Sequence, residues 1–276
     1  MPNTVVALAR STHPGPTVAV TAISVVLGFG VGLDPVRLVL LGLMIFTNQL
    51  SVGLSNDWID ADRDRAVGRT DKPVAAGAIS PAAVRNAAFV SAVFAIALTV
   101  PLGWRATVVH AVFVLSAWSY NAGLKGTVLS VVPYIVSFGL LPLVVTLSRS
   151  EPAAASPWAL VAGALLGVSA HFANVLPDLE DDRATGVRGL AHRAGPRTSG
   201  LVIAAALAGA SGSIVLGLGD PQLCGWLGLA LSVLLAVASA ALVLTGRSTR
   251  LIFRLIIAGA LLDVVLLALA GTRILA

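Results

Sequence analysis

The chain has 276 residues, of which 57% are hydrophobic and only 11% charged, and its mean hydropathy is +0.92. This composition excludes an ordinary soluble domain and indicates a polytopic membrane protein. The net charge of +5 comes with no basic run or nucleic-acid motif, so we expect no nucleic-acid partner. The single cysteine, Cys224, excludes a disulfide framework and a cysteine-rich metal site.

Apolar runs of about 20 residues, the length that crosses a bilayer as a helix, recur along the chain. We expect no cleavable signal peptide, because Pro14 and Pro16 interrupt the segment before the first run. The runs predict an all-α membrane protein of about nine transmembrane helices, forming a single membrane-embedded domain over residues 1–276. The predicted spans are 17–33, 36–55, 82–102, 105–120, 127–147, 157–177, 199–217, 222–244 and 251–271.

The distribution of lysine and arginine predicts the orientation of these spans. If the N-terminus is cytoplasmic, 14 of the 18 basic residues fall on the cytoplasmic side, which is a strong positive-inside bias. The basic residues left outside are Arg37, Arg105, Arg149 and Arg273. We therefore expect a multi-pass protein of the cell membrane, with two acidic loops, 56–81 and 178–198, in the cytoplasm and the C-terminus outside.

The two acidic loops repeat one pattern. Both read N-x-x-x-D-x-x-x-D-R-A-x-G, and the copies are 118 residues apart. Asn56, Asp60 and Asp64 belong to the first copy, and Asn174, Asp178 and Asp182 to the second. Each copy follows an even-numbered predicted span, which indicates a four-helix internal repeat in parallel orientation.

The spacing of four within each copy has a chemical consequence. It places the asparagine and both aspartates on one face of a continuing helix, which Asp57 joins and from which Asp62 points away. Carboxylates so arranged repel one another until a cation binds. Oxygen ligands without histidine or cysteine favour a hard cation such as Mg²⁺. Two such faces beside a cavity would bind a diphosphate through bridging metal ions.

Other interpretations of the acidic loops stay open. Asp60, Asp62 and Asp64 resemble the start of a calcium loop, but Arg65 stands where that loop needs glycine. Solvated loop acids would explain one cluster but not its matched repeat. A cation transporter would be expected to carry its acids near the bilayer midplane rather than at helix ends.

The motifs resemble those of the UbiA-type intramembrane prenyltransferases, N-D-x-x-D-x-x-x-D after the second helix and D-x-x-x-D after the sixth. The matching residues are Asn56, Asp57, Asp60 and Asp64 in the first motif and Asp178 and Asp182 in the second. The family's basic residue and proline downstream of the first motif correspond to the segment RTDKP, Arg69 to Pro73. The resemblance extends over essentially the whole chain and implies helices arranged around a central cavity.

This resemblance implies an Mg²⁺-dependent transfer of an isoprenyl group from an isoprenyl diphosphate to a small aromatic or lipid acceptor within the bilayer. The acceptor that the family uses most often is an aromatic or quinone precursor. The implied catalytic residues are Asp57, Asp60, Asp64, Asp178 and Asp182, and the implied metal ligands are Asn56, Asp60, Asp64, Asp178 and Asp182. Asp57 is also a candidate for deprotonating or orienting the acceptor.

The same resemblance indicates residues that bind the substrates. Lys125, Arg69 and Lys72 are candidates for contacts with the diphosphate; Lys125 follows Tyr120 as a basic residue follows tyrosine in the family. Asn174 is a secondary member of the site, and His171 is a candidate for orienting the acceptor. His13, where many members have arginine before proline, is a further candidate. Aromatic residues expected near the allylic chain are Trp58, Trp118, Tyr120, Tyr134 and Phe138.

Two other functions would use the same scaffold. A UbiA-type terpene cyclase would ionise the same diphosphate with the same ligands and quench the cation within its own chain. A non-catalytic lipid carrier or transporter would bind the lipid without breaking its C–O bond.

Overall fold

The computed structural model describes residues 4–179, 182, 185–245 and 249–276, and it is built of helices. Within these residues there is no strand; a lone antiparallel bridge joins Ala155 and Leu275. The helices are α1 (Thr4–Arg10), α2 (Pro14–Gly30), α3 (Pro35–Ile59), α4 (Ala61–Ala66), α5 (Pro81–Thr99), α6 (Trp104–Asn121), α7 (Val132–Leu147), α8 (Pro157–Val175), α9 (Leu190–Gly217), α10 (Leu223–Leu244) and α11 (Thr249–Ala270). Short 3₁₀ turns cover Val100–Leu102, Leu124–Gly126, Leu176–Asp178 and Gly271–Ile274.

Local chemistry fixes several of the helix starts. Proline stands in the first turn of α2, α3, α5 and α8, where its missing N–H is not needed. The carboxylate of Asp34 accepts hydrogen bonds from the backbone N–H groups of Val36 and Arg37 and so caps α3. The Ser80 hydroxyl caps α5 by accepting from the N–H of Ala83.

The helices suit a bilayer in length and surface. Six helical segments of the described chain are long and apolar enough to cross a membrane, and the bent pair α1–α2 would make a seventh. Large apolar side chains such as Val93 and Leu115, each 69% exposed, cover the outside of the bundle and fit contact with lipid. The chain is therefore a multi-pass membrane protein, and the count of about nine spans stays a prediction.

Three helix boundaries differ from those expected from hydropathy. Helix α7 begins at Val132 rather than at residue 127, and α3 continues to Ile59, inside the predicted loop 56–81. Helix α9 begins at Leu190, inside the predicted loop 178–198, and bends at Gly195, whose φ is +77°. Helices α3 and α9 are longer because backbone hydrogen bonding continues beyond the lipid boundary into polar sequence. Helix α7 starts later because the residues before it form turns, in which the N–H of Ser130 donates to the carbonyl of Thr127.

The long helices pack in chain order and close into a ring. Helix α3 contacts α2 and α5, α8 contacts α7 and α9, and α11 contacts both α10 and α2. Small residues allow the closest crossings: Gly163 and Gly167 of α8 lie directly against the backbone carbonyls of Phe138 and Tyr134 in α7. This contact fixes α7 against α8 immediately beside the second acidic motif.

Candidate active site

The first motif lies where α3 passes into α4. The expected continuing helix is interrupted at Asp60, but helical hydrogen bonding survives on both sides of it. The N–H of Asp60 donates to the carbonyl of Asn56 at 3.0 Å, and the N–H of Asp64 donates to that of Asp60 at 2.8 Å. Asn56, Asp60 and Asp64 consequently stay on one side, while Asp62 is 98% exposed and pairs with Arg65 at 2.6 Å.

Cations surround the carboxylates of this motif. The ammonium of Lys125 donates to Asp60, and the guanidinium of Arg63 lies 2.8 Å from the same carboxylate. The ammonium of Lys72 donates to the amide oxygen of Asn56 at 3.0 Å and lies 3.6 Å from Asp64. Burial raises the pKa of Asp64 and lowers the pKa of Lys125. Buried charges of both signs therefore meet at one point of the fold.

The segment after the first motif carries two of the predicted cations, and Arg69 pairs with Asp71 of the same segment. The guanidinium of Arg69 donates to the carboxylate of Asp71 at 2.8 Å, and these hydrogen bonds lower the pKa of Asp71 to about 2. The guanidinium of Arg10 donates to the backbone carbonyl of Asp71 at 3.2 Å. These contacts stabilise the loop, and the contact of Arg69 with the diphosphate stays a prediction.

Asp57 faces the N-terminal segment. Its carboxylate is 1% exposed and accepts a hydrogen bond of 2.6 Å from the hydroxyl of Ser11. The Lys72 ammonium lies 3.9 Å from its other oxygen. Nearby, His13 is half-buried, with no described hydrogen-bond partner for its Nε2. Nothing in the local sequence marks Ser11 as a site residue, because its partner lies 46 positions away.

The second motif begins at the end of α8. Asn174 is exposed in the last turn, and Asp178 closes the 3₁₀ turn that follows; the structure does not describe the Asp178 side chain. The carboxylate of Asp182 lies 2.9 Å from Nε2 of His192 in α9. His192 was missed from the sequence, because it follows the motif by ten residues and matches nothing in the first copy.

The two motifs share a backbone turn as well as a sequence pattern. The N–H of Arg69 donates to the carbonyl of Asp64 at 3.0 Å, and the equivalent N–H of Val187 donates to that of Asp182 at 2.9 Å. The glycines before these donors, Gly68 and Gly186, have φ of +72° and +81°. This left-handed conformation favours glycine. The turns agree with the predicted repeat, whose four-helix extent stays a prediction.

The loop between α6 and α7 joins the two motifs. Besides Lys125, it carries Ser130, whose hydroxyl accepts a hydrogen bond of 2.9 Å from the N–H of Leu190 at the start of α9. The Cα of Gly189 packs against the backbone carbonyl of Lys125, where any larger side chain would overlap it. The described segments 56–77, 122–131, 176–179 and 185–192, with Asp182, therefore lie together at one end of the bundle, here called the acidic end.

The predicted aromatic residues divide into two groups. Tyr120 and Tyr134 meet edge to face with 5.2 Å between ring centroids, and Phe138 stacks parallel to Tyr134 at 6.2 Å. Trp58 and Trp118 instead pack on Phe89 of α5, at 6.0 and 5.0 Å. Of these predicted aromatic residues, the tyrosines have ring contacts with His171. The place of the tryptophans near the allylic chain stays a prediction.

The donor chemistry of the first motif fits a hard cation. Two buried carboxylate oxygens, Oδ1 of Asp57 and Oδ2 of Asp64, have no hydrogen-bond donor among the described residues. Amide and carboxylate oxygens are the ligands that Mg²⁺ prefers. In the described part of the chain, no three His, Cys, Asp or Glu side chains already stand at the spacing of a complete metal site.

Comparison with known families identifies the chain. The sequence profile of the UbiA prenyltransferase family matches residues 17–271. The chain belongs to the UbiA prenyltransferase family. A comparison with curated proteins finds no significant match.

Solved structures of UbiA homologues share the fold. A homologue from Archaeoglobus fulgidus, bound to GPP and Mg²⁺, is 14% identical with a TM-score of 0.73, over 96% of this chain and 99% of that one. The apo homologue from Aeropyrum pernix K1 is 20% identical with a TM-score of 0.69, over 88% and 94%. A structure of digeranylgeranylglyceryl phosphate synthase is 14% identical with a TM-score of 0.70, over 98% and 99%.

This UbiA family member thus combines carboxylates, an amide oxygen and buried ammonium groups at the acidic end, with aromatic rings beside them. Such a set has the groups needed to bind a metal-complexed anion and to stabilise negative charge that develops on it. The aromatic faces of Tyr120 and Tyr134 suit an apolar or cationic organic group.

Proposed function

We propose that the protein transfers an isoprenyl group from an isoprenyl diphosphate to an aromatic or quinone-precursor acceptor, in an Mg²⁺-dependent reaction within the membrane. The observation that carries this proposal is the convergence of Asn56, Asp60 and Asp64 with Lys72 and Lys125 in a UbiA family chain. Support also comes from the homologue from Archaeoglobus fulgidus, which binds GPP and Mg²⁺.

The proposed ligands of Mg²⁺ are Asn56, Asp60, Asp64, Asp178 and Asp182. When bound, the metal would supply positive charge to the diphosphate as a leaving group. Lys125 and Lys72 would bind diphosphate oxygens, since their ammonium groups already lie among these carboxylates. The C–O bond of the allylic diphosphate breaks, the acceptor carbon bonds to the freed allylic carbon, and the acceptor releases a proton.

The test uses purified protein in detergent with a C15 or C20 allylic diphosphate. We expect diphosphate release with Mg²⁺ and none with EDTA. Asp60→Ala and Asp178→Ala should each abolish release, whereas Asp62→Ala, which removes an exposed carboxylate three residues from Arg65, should retain it. Diphosphate release that persists in both Asp60→Ala and Asp178→Ala would contradict the mechanism.

Product analysis with and without an aromatic acceptor tests the reaction class. A prenylated acceptor supports the proposal. A cyclic hydrocarbon formed from the diphosphate alone would instead identify a cyclase, and absence of diphosphate release at every chain length would favour a carrier.

A further inference from the structure

A buried histidine of α8 lies among aromatic rings with one nitrogen unused. His171 is 1% exposed, and its Nδ1 has no hydrogen-bond partner among the described residues. Its ring centroid lies 5.2 Å from that of Tyr134 and 6.0 Å from that of Tyr120. A buried polar group without a partner is destabilising, so a ligand that hydrogen-bonds to Nδ1 would be favoured.

The contacts of Ser130 favour one tautomer of His171. The Ser130 hydroxyl lies 3.2 Å from Nε2 of His171 and already accepts the N–H of Leu190 at 2.9 Å. Among the described residues the Ser130 proton has no acceptor other than Nε2, so the tautomer in which Ser130 donates to Nε2 is the one that pairs this buried proton. A neutral imidazole that accepts at Nε2 carries its proton on Nδ1. His171 therefore holds an unpaired N–H donor within the aromatic group.

The position of this donor suits the acceptor rather than the diphosphate. His171 precedes Asp178 by seven residues, which is about 10 Å along the chain at 1.5 Å per helical residue. The proposed metal ions and diphosphate would lie next to Asp178, so His171, further into the bundle, would face the organic part of the substrates. Ser130 also ties His171 to Leu190, at the start of the helix whose His192 contacts Asp182.

We propose that His171 Nδ1–H binds an oxygen substituent, a hydroxyl or carbonyl, of an aromatic acceptor whose ring packs against Tyr134 and Tyr120. This inference rests on the proposed function and adds to it a residue that binds and positions the acceptor. A glycerol phosphate headgroup would need cations, whereas the ring contacts of His171 are aromatic: Tyr120, Tyr134 and Phe172. As the diphosphate C–O bond breaks and the new C–C bond forms, the ring proton of the acceptor passes to the departing diphosphate, and His171 stays neutral.

Two substitutions of His171 separate its two nitrogens. In His171→Asn the amide nitrogen stands near the place of Nδ1 and keeps a donor there. In His171→Gln the longer side chain reaches the place of Nε2, so it keeps the Ser130 contact but loses the donor at Nδ1. The probes are 4-hydroxybenzoate and 1,4-dihydroxy-2-naphthoate, each prenylated from a C15 or C20 diphosphate with Mg²⁺.

We expect His171→Gln to raise KM for the aromatic probe about tenfold, which corresponds to one lost hydrogen bond, and more than it raises KM for the diphosphate. His171→Asn should recover most of this loss. Ser130→Ala removes the hydroxyl that favours this tautomer and leaves the histidine unchanged. It should raise KM for the aromatic probe as well, and it provides the test if His171→Gln fails to fold. His110→Gln is the matched control, because His110 is also buried, at 0% exposed, and contacts Thr99 away from the tyrosines. KM for the aromatic probe should stay unchanged in this variant.

An unchanged probe KM in His171→Gln and Ser130→Ala would overturn the inference, as would His171→Asn behaving like His171→Gln. A wild-type protein that releases diphosphate but alkylates neither probe would overturn the acceptor class. Absence of Mg²⁺-dependent diphosphate release from the wild type would instead overturn the proposed function itself, so the two failures are distinguishable.

Discussion

At the residue scale, each carboxylate of the first motif has its own partner. Asp60 contacts Lys125 and Arg63, Asp64 lies near Lys72, and Asp57 accepts from Ser11. The three acids therefore differ in role although they share one motif. Asp60 is bound to a cation from another loop, whereas Asp57 joins the N-terminal segment to the bundle.

Replacing Lys125 tests the contact with Asp60. We expect Lys125→Met to lower kcat/KM for the allylic diphosphate about 100-fold, the scale seen when one group that stabilises developing charge is removed. Arg65→Met is the control, because the Arg65 and Asp62 side chains are 50% and 98% exposed and such pairs contribute little. Steady-state diphosphate release measures both. Equal losses in the two variants would contradict a specific role for Lys125.

Replacing Ser11 tests the anchoring of the N-terminal segment. Ser11→Ala leaves a buried oxygen of Asp57 without its donor, and we expect a loss of about 1–3 kcal/mol in the free energy of unfolding. Ser24→Ala is a matched control, since this equally buried hydroxyl donates only to the Val20 carbonyl of its own helix. Thermal unfolding in detergent compares the two. A Ser24→Ala variant that is destabilised as much as Ser11→Ala would contradict the role of the Asp57 contact.

At the element scale, the close crossing of α7 and α8 positions the aromatic group. Gly167 of α8 faces the carbonyl of Tyr134 with no room for a methyl group. His171 lies one helical turn beyond Gly167 in α8. Its ring centroid is 5.2 Å from that of Tyr134 on the other side of the crossing. A glycine in the sequence of α8 thus sets the geometry of side chains that the motifs do not include.

Gly167→Ala should force α7 and α8 apart. We expect destabilisation of about 1–3 kcal/mol, as in other overpacked crossings, together with reduced prenyl transfer. Gly212→Ala in α9 is the control, because nothing lies within 4 Å of its added methyl; helix propensity predicts a gain of about 0.5–1 kcal/mol there. Thermal unfolding and transfer assays measure both effects. A Gly167→Ala protein as stable as Gly212→Ala would show that the crossing tolerates a methyl group.

At the scale of the whole molecule, polar and charged groups gather at the acidic end while the sides of the bundle are apolar. Arg37 and Arg149 belong to the opposite end, where the Arg37 guanidinium donates to the Ser148 carbonyl. The positive-inside bias of the sequence predicts that the acidic end faces the cytoplasm. Substrates with phosphate groups would then enter from that side.

Cysteine labelling in intact cells tests this orientation. In a Cys224→Ala background, Thr70→Cys and Glu151→Cys each place one thiol at an exposed position, at the acidic end and the opposite end respectively. We expect a membrane-impermeant maleimide to label Glu151→Cys in intact cells and Thr70→Cys only after permeabilisation. The reverse labelling pattern would show that the acidic end faces outside.

The sequence determined the class of the protein, the approximate place of its helices and the two acidic motifs. Hydropathy indicates which segments lie in the bilayer. The acidic motifs are recognisable because a matched repeat of polar residues is rare in an apolar sequence. The spacing of four also predicted the shared side of Asn56, Asp60 and Asp64 and the exposure of Asp62, because those relations are local to one helical turn.

Only the tertiary structure decided the partners of these residues. The partners lie far apart in the chain: 46 residues separate Ser11 from Asp57, 10 separate His192 from Asp182, and 65 separate Lys125 from Asp60. Such contacts depend on how helices cross and loops fold back, which no periodicity in one chain encodes. The same holds for His171: the sequence offered a lone histidine on a helix, and only packing showed that the Ser130 hydroxyl lies at its Nε2 and that two tyrosines lie beside its ring.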